Sequence, residues 1–132
     1  MTMMTVEQRL RALPTTALSD ATGGHTNIGA QIKPLANHFK IAGRALTVRL
    51  PDGENRAVLE AISKANKGDI LVIDAKGNTN RAVAGDFVMQ LAQGVGVQGF
   101  VVCGYASCDS KNEVFSRQRV GHSYMLSICL IF

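Results

Sequence analysis

The chain contains no tryptophan, and aromatic residues make up only 5% of its 132 positions. Its basic residues are scattered along the sequence, although the formal net charge is +4. A site for single-stranded nucleic acid needs aromatic platforms beside a clustered basic groove. The composition therefore does not favour nucleic acid as a partner, and a solvated surface of mixed charge explains the basic balance.

Cysteines and long apolar runs are also scarce. The three cysteines, Cys103, Cys108 and Cys129, are odd in number and lack Cys-x-x-Cys spacing, which argues against a disulfide framework or structural zinc. Cys103 lies in an apolar run and is expected to be buried. No apolar run approaches the ~18 residues of a membrane span, and the first residues lack a signal-peptide core. We therefore expect a cytoplasmic protein without a membrane segment.

Apolar residues make up 46% of the chain and charged residues 18%, which is typical of one globular domain with a hydrophobic core. Thr5 and Gln8 have the spacing of a capping box. Periodicity predicts helices over about 6–13, 15–20, 54–65 and 86–93, and strands over 41–50, 70–73 and 99–103. In the last helix, Phe87, Val88 and Leu91 are apolar. The continuous apolar run at 70–73 is typical of a strand that is covered on both faces. Residues 25–38 look irregular.

The strand at 70–73, the helix at 86–93 and the strand at 99–103 form a predicted βαβ unit with parallel strands. Ligands of such sheets bind at the carboxyl ends of the strands. The helix should begin near that edge at Gly85, where its free N–H groups favour an anion. Asp86 also permits a purely structural interpretation, because an acidic residue in a first turn complements the helix dipole.

Several segments resemble one family in the same order along the chain. Residues 42–49 are similar to the Ala-Gly-x-Ala-x-Thr-Val-Arg strand of the RraA-like proteins, and residues 68–75 to their Gly-Asp-Val-Leu-Val-Val-Asp-Ala strand. Ala84-Gly85-Asp86 resembles their helix start. The family includes metal-dependent 4-hydroxy-4-methyl-2-oxoglutarate aldolases and the regulator of ribonuclease E activity A. The resemblance implies an α/β fold, a swivelling β/β/α-type domain, assembled as a homotrimer or homohexamer.

The resemblance also implies a chemistry. The expected activity is retro-aldol cleavage of a 4-hydroxy-4-methyl-2-oxoglutarate-like 2-oxo acid, or decarboxylation of oxaloacetate, through a pyruvate enolate. A divalent cation, Mg²⁺ or Mn²⁺, and backbone donors would stabilise the enolate charge. The substrate-binding backbone would be that of Gly85, Asp86, Phe87 and Val88.

The family's Arg-Asp pair, which grips the substrate and holds the metal, is not intact. In direct register Ser107 stands at the position of the Arg and Cys108 at the position of the metal-binding Asp. Asp109 is a substitute metal ligand after a shift of one residue. Ser107 carries no positive charge, so whether the chain is an enzyme stays open. The alternatives are a non-catalytic regulator that binds a ribonuclease, and an inactive fragment.

The similarity to the family stops after about Gly104, and the family's C-terminal strands are missing. The sequence therefore divides into an RraA-like domain over 1–110 and a divergent tail over 111–132. True divergence, truncation and a frameshift near Tyr105 would each explain the change. Because the similarity stops within a motif, truncation or a frameshift is favoured, and resequencing of the coding region would test this hypothesis.

Overall fold

The computed structural model describes residues 3–29, 32–34, 37–51, 54–76, 82–103 and 127–131. The helices are α1 (Val6–Ala12), α2 (Thr15–Ala21), α3 (Arg56–Lys64) and α4 (Asp86–Gly94). The strands are β1 (Lys33–Pro34), β2 (Ala45–Arg49), β3 (Ile70–Asp74), β4 (Gly99–Cys103) and β5 (Ser127–Ile131). Within these ranges, no helix is long and apolar enough to cross a membrane.

The strands form one sheet in the order β1-β5-β4-β3-β2. Strands β2, β3 and β4 are parallel neighbours, with α3 between β2 and β3 in the chain and α4 between β3 and β4. The predicted α/β class and the parallel βαβ unit are therefore confirmed. Strand β5 pairs antiparallel with β4 and parallel with β1. The division of the chain at residue 110 stays a prediction.

The capping box predicted at the start of α1 is present. The Gln8 backbone N–H donates to Thr5 Oγ1 at 3.3 Å, and the Thr5 backbone N–H donates to Gln8 Oε1 at 2.9 Å. These two bonds satisfy backbone donors that the helix itself leaves without acceptors. The local sequence therefore fixes where α1 begins.

The hydrophobic core lies between one face of the sheet and helices α3 and α4. Alternate residues of β3 and β4 point toward these helices, and Leu71 and Phe100 are fully buried. Full burial of such a side chain contributes about 1.5–3 kcal/mol. The core cluster comprises Val48, Leu50, Val58, Ile62, Leu71, Ile73, Ala75, Val83, Ala84, Val88, Met89, Ala92, Val97, Phe100 and Val102.

Helix α4 buries only some of its apolar residues. Val88 is buried, but Phe87 is 74% exposed and Leu91 is 41% exposed, and the helix instead buries Met89 and Ala92. The apolar residues of α4 cover more than one side of the helix. Their spacing therefore allows two orientations against the sheet, and packing selects the one that buries Met89.

Three further expectations need correction. Cys103 is half-buried instead of buried, because it is the last residue of its strand. Val72, in the middle of β3, is also only half-buried, since α3 and α4 cover the opposite face of the sheet. The segment predicted to be irregular contains the two-residue strand β1, which pairs with β5.

An ion pair joins the amino ends of β2 and β3. Arg44 donates to the buried Asp69 carboxylate twice, from Nε to Oδ1 at 2.9 Å and from Nη2 to Oδ2 at 2.6 Å. The Asn66 backbone N–H donates to Oδ2 at 2.8 Å. These bonds, led by those from Arg44, hold the pKa of Asp69 below its usual value. The pair lies at the edge of the sheet opposite to the carboxyl ends of the strands.

Candidate anion-binding site at the start of helix α4

Helix α4 begins at the edge of the sheet where the parallel strands end. The chain leaves β3 at Asp74, reaches the N-cap residue Gly85, and returns along α4 to the amino end of β4. Val83 and Ala84, immediately before the helix, are buried in the core cluster. These two side chains anchor the backbone and fix the position of the first helical turn.

The first turn of α4 has backbone donors, and its N-cap residue, a glycine, provides no side-chain cap. Gly85 is extended, with φ −118° and ψ −174°, and the first bond of the helix runs from the Met89 N–H to the Gly85 carbonyl at 3.0 Å. The N–H groups of Phe87 and Val88 therefore precede the first intrahelical donor. Because Gly85 lacks a side chain, no capping oxygen of that residue occupies the place that an external anion would take.

The four residues predicted to bind substrate differ in exposure. Gly85 and Asp86 are half-buried, Phe87 is exposed and Val88 is buried. A contact through backbone N–H groups does not require a polar side chain, so this pattern is compatible with binding of a carboxylate. The negative charge of Asp86 interacts favourably with the positive end of the helix dipole, but the same charge would repel an anionic ligand.

A second polar feature at the same edge lies on the other face of the sheet. Arg49 Nε is 3.5 Å from Asp74 Oδ2, and both side chains are exposed to solvent. Arg49, Asp74 and Cys103 are in register on neighbouring strands. Since side chains alternate along a strand, these three leave the sheet on the face opposite to the one that α4 covers.

Asp74 has a structural role in this arrangement. Its Oδ1 accepts a hydrogen bond from the Lys76 backbone N–H at 2.9 Å, where Lys76 adopts a positive φ of 52°. Asp74 therefore caps the loop that follows β3. We do not assign Asp74 or Arg49 to the anion site.

The expected metal-binding residues Cys108 and Asp109, and Ser107 at the position of the family Arg, lie outside the described residues. Within the described part of the chain, no three His, Cys, Asp or Glu side chains are grouped so that they could hold a metal ion. A thiol at position 108 is also a poor ligand for Mg²⁺, which prefers oxygen. Of the two expected ligands only Asp109 offers an oxygen, so the pair does not make the all-oxygen site of the expected cation, and we derive no chemical step through it.

Comparison with known proteins identifies the family. The RraA-like family, described as Aldolase/RraA, matches residues 15–107. The chain therefore belongs to the RraA-like family, and the resemblance drawn from its sequence motifs is confirmed. The match includes β2, β3, α4 and β4, which build the edge of the sheet described above.

Two curated relatives carry the name "Putative 4-hydroxy-4-methyl-2-oxoglutarate aldolase". The protein of Halalkalibacterium halodurans is 49% identical over 96 residues, which are 73% of this chain and 46% of that protein. The protein of Alkalilimnicola ehrlichii is 32% identical over 94 residues, 70% of this chain and 58% of that protein. The chain thus spans about half the length of the curated relatives it matches.

Two solved structures share the fold. The RNA-processing inhibitor RraA from Thermus thermophilis has a TM-score of 0.59 and 27% identity, covering 68% of this chain and 54% of that one. An uncharacterized protein from Pseudomonas syringae pv. tomato has a TM-score of 0.59 and 23% identity, covering 77% of this chain and 50% of that one. The second likeness concerns the fold alone.

Proposed function

We propose that this chain carries the 2-oxo-acid-binding part of an RraA-like lyase. The reaction would be retro-aldol cleavage of a 4-hydroxy-4-methyl-2-oxoglutarate-like acid or decarboxylation of oxaloacetate, through a pyruvate enolate. The observation that carries this proposal is the first turn of α4, which begins at a glycine without a capping side chain and is anchored by buried residues at the carboxyl edge of the sheet. The 49% identity to a relative with an aldolase name supports the substrate class.

In this proposal the backbone of α4 holds the substrate. The N–H groups of Phe87 and Val88 would donate to the substrate carboxylate, and the positive end of the helix dipole would add a favourable contribution of roughly 0.3–1 kcal/mol. The same donors would stabilise negative charge that develops on an adjacent enolate oxygen. Because these groups belong to a helix fixed by the core, they need no rearrangement when the charge develops.

We expect turnover to be feeble, because Ser107 cannot supply the positive charge of the family Arg. The direct assay is pyruvate release from oxaloacetate, with and without added Mg²⁺, against the background rate of the metal alone. A rate above that background would support a lyase if it is lost in Gly85→Asp, the variant that blocks the first turn of α4. No rate above the background would refute lyase activity for this chain.

The matched variants are Gly85→Asp and Asp86→Asn. An aspartate at position 85 would cap the N–H groups of Phe87 or Val88 with its own carboxylate. It should therefore abolish binding of the substrate carboxylate while leaving the helix at least as stable. Asp86→Asn removes a negative charge near the ligand and should strengthen binding. Loss of binding together with loss of folding in Gly85→Asp would remove the support for this assignment.

The second candidate is a non-catalytic regulator that binds a ribonuclease E-type enzyme. The likeness to an RNA-processing inhibitor, at 27% identity, favours it. The test is RNA cleavage by that ribonuclease in the presence of the chain, measured together with pyruvate release. Inhibition of cleavage without pyruvate release would support a regulator, and the absence of both effects would exclude the two candidates. The homotrimer or homohexamer stays a prediction of the resemblance, and the cytoplasmic location stays a prediction from the sequence.

A further inference from the structure

Strand β5 lies between β4 and β1, although it comes from a part of the chain that the family match does not include. The match ends at residue 107, whereas β5 spans Ser127–Ile131. Strands β2, β3 and β4 are parallel and are connected through α3 and α4, but β5 runs antiparallel to β4. The strand beside β4 is therefore supplied by a segment outside the part of the chain that identifies the family.

The backbone of β5 is paired mainly on one side. All five of its residues are in register with the five residues of β4. On the other side, β1 is only the two-residue strand Lys33–Pro34, and both of its residues are exposed. Pro34 has no backbone N–H and cannot donate a hydrogen bond to a neighbouring strand. Strand β5 therefore depends on β4 for most of its backbone pairing.

The register between β4 and β5 defines which kind of segment can lie beside β4. Leu130 is in register with Phe100, and Ile128 is in register with Val102. The side chains of Phe100 and Val102 are fully buried on the core face of the sheet. Because residues alternate along a strand, positions 128 and 130 belong to this core face, and Cys129 belongs to the outer face. The place beside β4 therefore requires apolar residues at alternate positions.

We propose that the groove between β1 and β4 binds extended polypeptide segments with apolar residues at alternate positions, and that residues 127–131 occupy it as an exchangeable strand. Binding of this kind adds a strand to a sheet, so that backbone hydrogen bonds provide affinity and alternate side chains provide specificity. A shift of the segment by one residue would move its apolar residues to the outer face, so the groove selects one register. The proposal does not depend on the lyase activity proposed above.

The covalent connection between β5 and the rest of the chain protects the groove from other segments. A segment that is tethered to its binding site is present there at an effective concentration on the order of millimolar. A free segment must compete with β5, so the natural chain should bind it only weakly. When β5 alone is weakened, this competition is removed and a free segment should bind more tightly. A strand that is a fixed part of the fold would not behave in this way, because its loss would unfold the sheet.

The test uses the full chain and a fluorescent synthetic peptide with the sequence of residues 126–132, and binding is followed by fluorescence anisotropy. Leu130→Asp places a carboxylate in register with the buried Phe100 and should weaken β5. The peptide should therefore bind this variant at least about tenfold more tightly than the natural chain. Ser127→Asp introduces the same charge on the outer face and is the matched control, with the affinity of the natural chain. A peptide that itself carries Leu130→Asp should not bind.

Hydrogen exchange in the natural chain is a second measurement that needs no variant. The amides of β5 should exchange at least about tenfold faster than those of β3, through an opening that low concentrations of urea do not affect, because release of a short strand exposes little surface. This exchange decides the matter if circular dichroism shows that Leu130→Asp is unfolded. Amides of β5 and β3 that exchange only together, by global unfolding, would overturn the proposal.

The peptide measurements can contradict the proposal independently. Equal affinity of the peptide for the natural chain and for a folded Leu130→Asp variant would show that β5 does not compete for the groove. Equal binding of the natural and the altered peptide would show that the groove does not select apolar residues at alternate positions. Either result would overturn the proposal, and neither depends on pyruvate release, which tests the lyase separately.

Discussion

Replacement of Asp69 by asparagine should destabilise the fold, because Asp69 joins the two strands that lead to the candidate site. The Asp69 side chain is only 4% exposed, and its carboxylate accepts two bonds from Arg44 and one from the Asn66 backbone. An asparagine in the same place can keep the bond from Asn66 through its carbonyl oxygen. The same oxygen can also accept from Arg44 Nη2, whereas the amide group in the place of Oδ1 would meet Arg44 Nε donor to donor.

The expected cost follows from the bonds that are lost. A hydrogen bond to a charged group contributes about 1.5–3 kcal/mol. The Arg44 side chain is 59% exposed, so in the variant its guanidinium can turn toward water, which limits the loss. We therefore expect Asp69→Asn to lower the free energy of unfolding by about 2 kcal/mol, a large part of the ~5–15 kcal/mol that typical domains have.

Urea unfolding at neutral pH measures this free energy, with Glu60→Gln as the control. Glu60 pairs with Arg56 at 3.1 Å on the exposed side of α3, and such a pair contributes about 0.3–0.5 kcal/mol. A change below about 0.5 kcal/mol for Asp69→Asn would refute the reasoning. A cost equal to that of the control would show that burial of the carboxylate gives the pair no additional strength.

The remaining predictions concern titration and packing. Because the pKa of Asp69 is lowered in the folded protein, the ionised carboxylate stabilises the fold at pH values above its unfolded pKa, and this contribution is lost as the pH falls through the folded pKa. The difference in free energy of unfolding between the natural chain and Asp69→Asn should therefore become smaller in urea curves recorded below about pH 4. Gly43→Ala should lower the free energy of unfolding by at least about 1 kcal/mol, because the new Cβ would lie 2.5 Å from the carbonyl oxygen of Gly68. Gly94→Ala is the matched control: its Cβ would meet open space, so the free energy of unfolding should stay the same or rise by up to about 1 kcal/mol. Phe100→Ala removes a fully buried ring and should cost about 3–5 kcal/mol in urea unfolding; a loss well below this range would contradict the assigned core.

Local sequence signals were sufficient for the elements that build the edge of the sheet. The capping box at Thr5 fixed the start of α1, and the apolar runs at 70–73 and 99–103 predicted two neighbouring parallel strands. These features depend on residues close together in the chain. The position of Gly85 at the start of α4 was predictable for the same reason, because a helix pattern begins directly after it.

Features that depend on distant contacts were not predictable. The bond between Arg44 and Asp69 joins residues 25 positions apart, and neither residue has a local pattern that indicates the other. The orientation of α4 depends on how Met89 packs against the sheet, which periodicity alone does not determine. The pairing of Arg49 with Asp74 likewise follows from strand register.

The central claim is that the backbone at the start of α4 binds the carboxylate of a 2-oxo acid. The most direct measurement is a titration of the ¹⁵N-labelled chain with pyruvate, followed by the amide resonances, with uncharged pyruvamide as the control ligand. We predict the largest shifts at the amides of Phe87 and Val88, weak shifts with pyruvamide, and loss of the pyruvate response in Gly85→Asp. Shifts centred on Arg49 and Asp74, or an unchanged response in Gly85→Asp, would contradict the claim.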